Sequence, residues 1–392
     1  MPTKLLFILG TRPEAIKLAP LILKSKEDDC FDVKVCITGQ HKQMLEQVIN
    51  FFNIKIDHDF ELMKPNQSLF NISADILKAI EPLIENEKPD FIIVQGDTTT
   101  AFIGAIAGFY KKIRVIHLEA GLRSHDKYSP FPEEMNRILI SQIANYHFAP
   151  TKKASDNLFD EGIKDNVYIV GNTAIDALLL GLDLIREKGD KIYKEFFNFL
   201  DFSKKIILVT GHRRESFGKG IENICEALKE IAIQRKDIQI VYPVHLNPNV
   251  SGPVYDALKN VAGVFLMEPL EYQYLIWLMN KSFLVLTDSG GIQEEAPFLG
   301  KPVIVMRDST ERIEAVEAGV SVLSGAHKDI IVEETVDLLD NKLRYRKMGR
   351  QVNIYGDGKS SEKIISILKE KHNCILEKSF LKPQHVSLIQ RF

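Results

Sequence analysis

Cysteine is scarce in this chain. There are four in 392 residues, Cys30, Cys36, Cys225 and Cys374, with no C-x-x-C spacing and no paired pattern. That argues against a disulfide framework or a cysteine-built metal site and predicts free, buried thiols. No G-x-G-x-x-G occurs, so nothing marks a dinucleotide redox cofactor, and no His, Cys or carboxylate cluster has metal-ligand spacing. Long apolar runs are missing too. Residues 5–9 and 91–94 are typical of what is present, far short of the ~20 residues a membrane helix needs. The first run is also too short for a signal peptide, so a cytoplasmic protein is expected. Nor is there a surplus of positive charge. Lys and Arg number 50 against 53 Asp and Glu, net −3, which argues against nucleic-acid binding through a bulk basic surface.

What is present is apolar material in a regular rhythm. Hydrophobic residues make up 45% of the chain, enough for one or two cores, and the length suggests two domains at roughly 150 residues each. Strand-like runs at 4–10, 33–38, 91–95, 115–118, 146–149 and 167–170 alternate with helical spacing. The pattern then restarts at 205–210, 238–242, 264–267, 283–287 and 303–306. Strands alternating with helices predict parallel sheets, and continuous rather than alternating hydrophobicity predicts strands covered on both faces. The chain reads as α/β, two doubly wound domains in tandem, with a boundary between 171 and 204. The segment after 371 has no clear period.

In open α/β sheets ligands sit beyond the C-terminal strand ends, so the residues that follow each strand matter most. After the first strand, Gly10-Thr11-Arg12-Pro13 opens a helix that also carries Lys17. A helix start with two cations suits an anion. Asp97 follows the 91–95 strand and reads either as a functional acid or as a helix N-cap. Glu119 ends the strand at 115–118 with no capping reason to be there. Glu133 and Glu134 open a helix, where acids are favoured by the macrodipole alone. In the second half, His212 and Arg213 directly follow a strand in a Gly-bounded cationic loop suited to phosphate, and His245 follows the next. Thr287-Asp288-Ser289-Gly290-Gly291 runs from strand into helix, which lets backbone N–H groups approach a phosphate. Glu294 or Glu295, one turn on, can accept from ribose hydroxyls. Arg307, Thr310, Glu311 and Arg312 follow the next strand and can line the same mouth.

Taken together, ten motifs resemble the non-hydrolysing UDP-N-acetylglucosamine 2-epimerases. They are GTRPEAIKLAP (10–20), GDTTT (96–100), EAGLR (119–123), PEEMNR (132–137), GNT (171–173), TGHRRESFG (210–218), PVHLNPNV (243–250), TDSGGIQEEAP (287–297), GKPVIVMRD (300–308) and YGDG (355–358), in order across about 4 to 370. The resemblance implies a glycosyltransferase-B type fold, two Rossmann-like domains around a cleft. Residues 1–172 would form the first and 173–359 the UDP-binding second, with a helix at about 360–370 packing back on the first and 371–392 unassigned. It implies interconversion of UDP-GlcNAc and UDP-ManNAc without NAD or metal, a homodimer, and a place in envelope or capsule polysaccharide synthesis. It places the catalytic groups on Asp97, Glu119, Glu133 and His212. Substrate binding falls to Arg12, Lys17, Arg137, Arg213, His245, Ser289, Gly290, Gly291 and Glu295. Gln40 and Gln43 match part of an allosteric UDP-GlcNAc pattern, but Asn66 stands where activated members carry Arg. Alternatives are a hydrolysing epimerase that releases ManNAc and UDP, a retaining glycosyltransferase of the same fold, and an inactive nucleotide-sugar sensor.

Overall fold

The computed structural model describes residues 2–39, 42–62 and 67–380, with side chains for all of these but 42, 43, 214 and 372–380. The first half folds into β1 (Thr3–Leu9), β2 (Phe31–Ile37), β3 (His58–Asp59), β4 (Phe91–Gln95), β5 (Arg114–Leu118), β6 (Tyr146–Ala149) and β7 (Val167–Ile169). The second folds into β8 (Lys205–Thr210), β9 (Ile238–Pro243), β10 (Val264–Met267), β11 (Leu284–Thr287), β12 (Val303–Val305) and β13 (Ser321–Leu323). The sheet orders are β3-β2-β1-β4-β5-β6-β7 and β10-β9-β8-β11-β12-β13, with every pairing parallel. These are the two Rossmann-like sheets expected, in the glycosyltransferase-B arrangement. The strand order reverses between β1 and β4 and again between β8 and β11. Those two switch points are where such sheets bind ligands. The short strands β3 and β13 carry too few apolar residues to stand out in the sequence.

The two halves share one hydrophobic core. The helix Thr173–Lys188 packs on Arg12–Lys26 of the first half and on Tyr272–Lys281 and Gly290–Phe298 of the second. Gly181 permits the approach to Tyr272–Lys281 to be close, since a side chain there would meet Ile276 Cδ1 at 2.7 Å. The C-terminal helix, Ser360–Phe380, packs on Arg12–Lys26 and on Thr173–Lys188. Asp176 accepts from the Ser360 and Ser361 N–H groups (3.2 and 2.7 Å) and so caps its start. Lys24 pairs with Glu362 at 2.9 Å, and Lys369 pairs with Asp28. Residues 381–392 lie outside the described residues. Cys36 and Cys225 are buried free thiols as predicted. Cys30 is a correction, since it is exposed at the loop entering β2.

Candidate active site

At the first switch point the loops after β1 and β4 are bonded to each other. Glu14 accepts from the Gly10 and Thr11 N–H groups (3.0 and 2.7 Å) and from the Thr98 hydroxyl (2.7 Å). The helix start at Arg12 is thus closed by the chain's own carboxylate, which corrects its reading as an open anion site. Burial pushes that carboxyl up to about 6. The helix after β4 is capped by Thr98, whose hydroxyl accepts from Ala101 N–H at 3.0 Å. Asp97 is therefore not the cap, and its carboxylate is available. Arg137 donates to it at 2.7 Å, and Asn136 donates to its carbonyl at 2.8 Å. His117, wholly buried, hydrogen-bonds the Gly96 carbonyl at 2.8 Å and steadies the same loop. Asn136 and Arg137 lie on the helix that Glu133 opens, so one element sets two acids. The Glu133 Oε2 atom is buried with no hydrogen-bond partner among the described residues, whereas Glu134 holds Arg137 at 2.5 Å.

Glu119 is the hub. Its φ of 63° turns the chain sharply off β5, an uncommon conformation for a residue other than glycine. Its carboxylate takes the ammonium of Lys17, the Gln95 amide (2.8 Å) and the Asn172 amide (3.2 Å). Arg312 reaches it from the second half at 3.4 Å. Burial works against the charge, but Lys17 and Arg312 outweigh it and hold Glu119 below the ordinary carboxylate range. Arg312 also grips Glu294 at 2.9 Å. Burial and the neighbouring Glu119 raise Glu294 despite that grip. Lys17, read from the sequence as a cation for an incoming anion, is engaged with Glu119.

At the second switch point, Asp288 is fully buried and accepts from the His212 and Arg213 backbone N–H groups (2.7 and 2.8 Å). This ties the loops after β8 and β11 together. The His212 ring lies 3.4 Å from Asp288 through Nδ1 and stacks on His245, centroids 5.2 Å apart. Burial, with Arg213 and His245, pushes the His212 imidazolium down against the pull of Asp288, so the ring is neutral near pH 7. The Arg213 Nε is buried with no hydrogen-bond partner among the described residues. Ser289 makes no side-chain cap, and a side chain at Gly291 would meet open space, so this helix start is accessible. Gly290 is required, because a Cβ there would press on the Arg312 guanidinium at 2.9 Å. Glu295 accepts from the Tyr272 hydroxyl at 2.9 Å. Burial raises its carboxyl to about 7 against that hydrogen bond, and Arg12 faces it from the first half. Further along the cleft, Arg123, Ser124 and His125 face Arg307, Thr310 and Glu311 around a cavity of about 250 Å³.

A family model described as UDP-N-acetylglucosamine 2-epimerase matches residues 23–369. The UDP-N-acetylglucosamine 2-epimerase of Escherichia coli (strain K12) is 52% identical over 370 residues, 93% of this chain and 98% of that one. This chain belongs to the UDP-N-acetylglucosamine 2-epimerase family. The Campylobacter jejuni member is 50% identical over 383 residues, covering 95% of this chain and 99% of its own. A crystal structure of UDP-GlcNAc 2-epimerase from Neisseria meningitidis bound to UDP-GlcNAc matches with a TM-score of 0.91 at 47% identity, over 94% of this chain and 100% of that one.

The fold of this family member brings Asp97, Glu119, Arg137, Lys17 and Arg12 to one side of the cleft. His212, Arg213, His245, Ser289–Gly291 and Glu295 lie on the other. Gln40 and Asn66 lie outside the described residues, as does the Gln43 side chain. Sequence reading assigned the acids mainly to the first half, but buried Asp288 and Glu294 join from the second. It also missed Gln95, Asn172 and Tyr272. Gln95 had a signal, a polar residue ending an otherwise apolar strand, FIIVQ. Tyr272 had none.

Proposed function

We propose that this chain interconverts UDP-GlcNAc and UDP-ManNAc by anti elimination and re-addition of UDP. The sugar C2–H is only weakly acidic because no carbonyl adjoins it. Elimination avoids a free carbanion. A carboxylate takes the C2 proton, that electron pair forms C1=C2, and the C1–O pair leaves with UDP. UDP then adds back to C1 while a proton reaches the opposite face of C2. The chemistry needs two acid–base groups on different sides of the sugar and cations around the leaving diphosphate. Glu119, Asp97 and Glu133 supply the former and Arg12 and Arg213 the latter, with neutral His212 able to hydrogen-bond beside them. UDP lies along the Ser289–Gly291 helix start, with Glu295 on the ribose. The observation that carries this reading is the ionised Glu119, joined to the second half by Arg312, whose guanidinium also lies against Gly290 at the helix start. In D₂O, deuterium should enter C2 of recovered UDP-GlcNAc and UDP-ManNAc; a nucleotide sugar that stays protonated at C2 sinks the reading. The non-hydrolysing outcome predicts no build-up of free UDP in phosphorus NMR, whereas UDP rising with turnover indicates the hydrolysing enzyme.

Ribose hydroxyls donating to Glu295 favour its carboxylate, whereas in the free protein this carboxyl sits at about 7. Binding therefore releases a proton. UDP-GlcNAc affinity should rise roughly tenfold from pH 6 to pH 8, and Glu295→Gln should flatten that dependence in calorimetry.

Residues 1–172 with the C-terminal helix, and 173–359, form the two moving bodies in this reading. The enzyme acts as a cytoplasmic homodimer feeding surface-polysaccharide synthesis. Phe70, Phe109, Tyr110 and Leu139 are exposed on the helices Leu69–Glu87, Thr99–Tyr110 and Glu133–Ile143, which pack side by side. Phe70 stands at the start of its helix and Phe109 and Tyr110 at the end of theirs, so these side chains mark the two ends of a face that can serve self-association. Phe70→Glu with Phe109→Glu should give a monomer in light scattering, and an unchanged mass would remove this face from consideration.

A further inference from the structure

Two of the ten motifs, GNT and YGDG, carry no reacting group. The chain crosses between the halves at both, and the crossings touch. The Asn172 N–H donates to the Tyr355 carbonyl at 2.5 Å, and a side chain at Gly171 would meet Gly356 Cα at 2.9 Å. The Asn172 side chain is buried and fully engaged. Its oxygen accepts from Ala174 N–H at 3.0 Å and so opens the helix Thr173–Lys188. Its amide nitrogen donates to Glu119 Oε2 at 3.2 Å and to Glu294 Oε2 at 2.5 Å. One amide thus bridges two carboxylates that come from opposite halves. Buried like charges this close repel; Arg312 offsets their charge on one side, and the two N–H bonds of the neutral amide fix their spacing on the other.

We propose that Asn172 is a positioning residue, a hinge backbone whose side chain sets where the Glu119 carboxylate lies against the second half. This rests on the epimerase reading of Glu119. The charged and titratable groups facing Glu119 are Lys17 from the first helix, His117 from β5, and Glu294 and Arg312 from the second half. Asn172→Asp keeps the shape and the helix cap but puts a third carboxyl among them. The cluster then retains a proton, so Glu119 ionises only at higher pH.

The test measures C2 exchange in D₂O and steady-state kinetics on the full chain with UDP-GlcNAc. If wild type shows no C2 exchange, the epimerase reading falls and this inference falls with it. With active wild type, Asn172→Asp should lower kcat about 10²-fold with KM changed less than about threefold. It should also move the acidic limb of the kcat profile to higher pH. Adding Glu294→Gln restores two carboxyls and one amide in exchanged places and should recover about tenfold or more of the lost kcat. The inference is overturned by a kcat near wild type, by an unmoved acidic limb, or by a folded double variant that recovers nothing. If Asn172→Asp does not fold by circular dichroism, Asn172→Ser is read by the same pH profile. The Ser hydroxyl keeps the cap but cannot span both carboxylates, and an unmoved limb again overturns the proposal.

Discussion

Glu119→Gln is expected to lower the rate of C2 exchange by about 10²–10⁴-fold, the range for removing a group that transfers the proton in the transition state. The change keeps shape and removes charge. Gln95 and Asn172 both donate to this carboxylate, and Lys17 and Arg312 add their charge. An amide in its place cannot accept a proton and sets its own donors against theirs. Affinity for UDP should stay within about tenfold, because in the proposed reading UDP lies on the second half and Glu119 acts on the sugar. Calorimetry with UDP and deuterium exchange by NMR separate the two effects. Exchange at the wild-type rate would remove Glu119 from the chemistry. The variant should also melt lower, since Lys17 loses the partner that compensates its burial.

Arg312→Met should be among the most destabilising single changes in the chain. The guanidinium is buried with Glu119, Glu294 and Glu311 around it. Removing it takes from Glu294 its ion-pair partner among the described residues and strips Glu119 and Glu311 of one of two cations each, a loss of about 3–5 kcal/mol. The pH dependence follows from the signs. In wild type, burial disfavours the Glu311 charge, but Arg312 and Arg307 hold its carboxyl far below the ordinary range. That contributes stability present above the unfolded carboxylate pKa and lost as pH falls through the folded one. In the variant, the orphaned carboxylates are raised instead, so their folded forms favour the proton and lose stability as pH rises. The gap between variant and wild type should be widest near pH 8 and narrow toward pH 5. Denaturant melts at both pH values measure it, and a gap that widens toward pH 5 would contradict the assignment.

The sheets were legible because their strands are continuous apolar runs bounded by polar loops. Parallel pairing and the two switch points then placed Asp97, Glu119, His212 and Ser289 at strand ends, where sheets of this kind bind ligands. Other features were invisible for physical reasons. That Glu14 closes its own helix start, or that Thr98 rather than Asp97 caps the next, depends on rotamers that several local sequences would allow. The Arg312–Glu119 contact joins residues 193 positions apart and exists only once the halves meet. Asn172 caps the helix Thr173–Lys188, a task its place before an apolar-periodic stretch allows. Its second task depends on Glu294 arriving from the other sheet.

The paired crossings at Asn172 and Tyr355 limit how the cleft can open. Two backbone segments pinned at one spot allow the halves to swing like a door but not to slide or drift apart. In the proposed elimination and re-addition, a joint of this kind returns the same atoms to the same places at each closure.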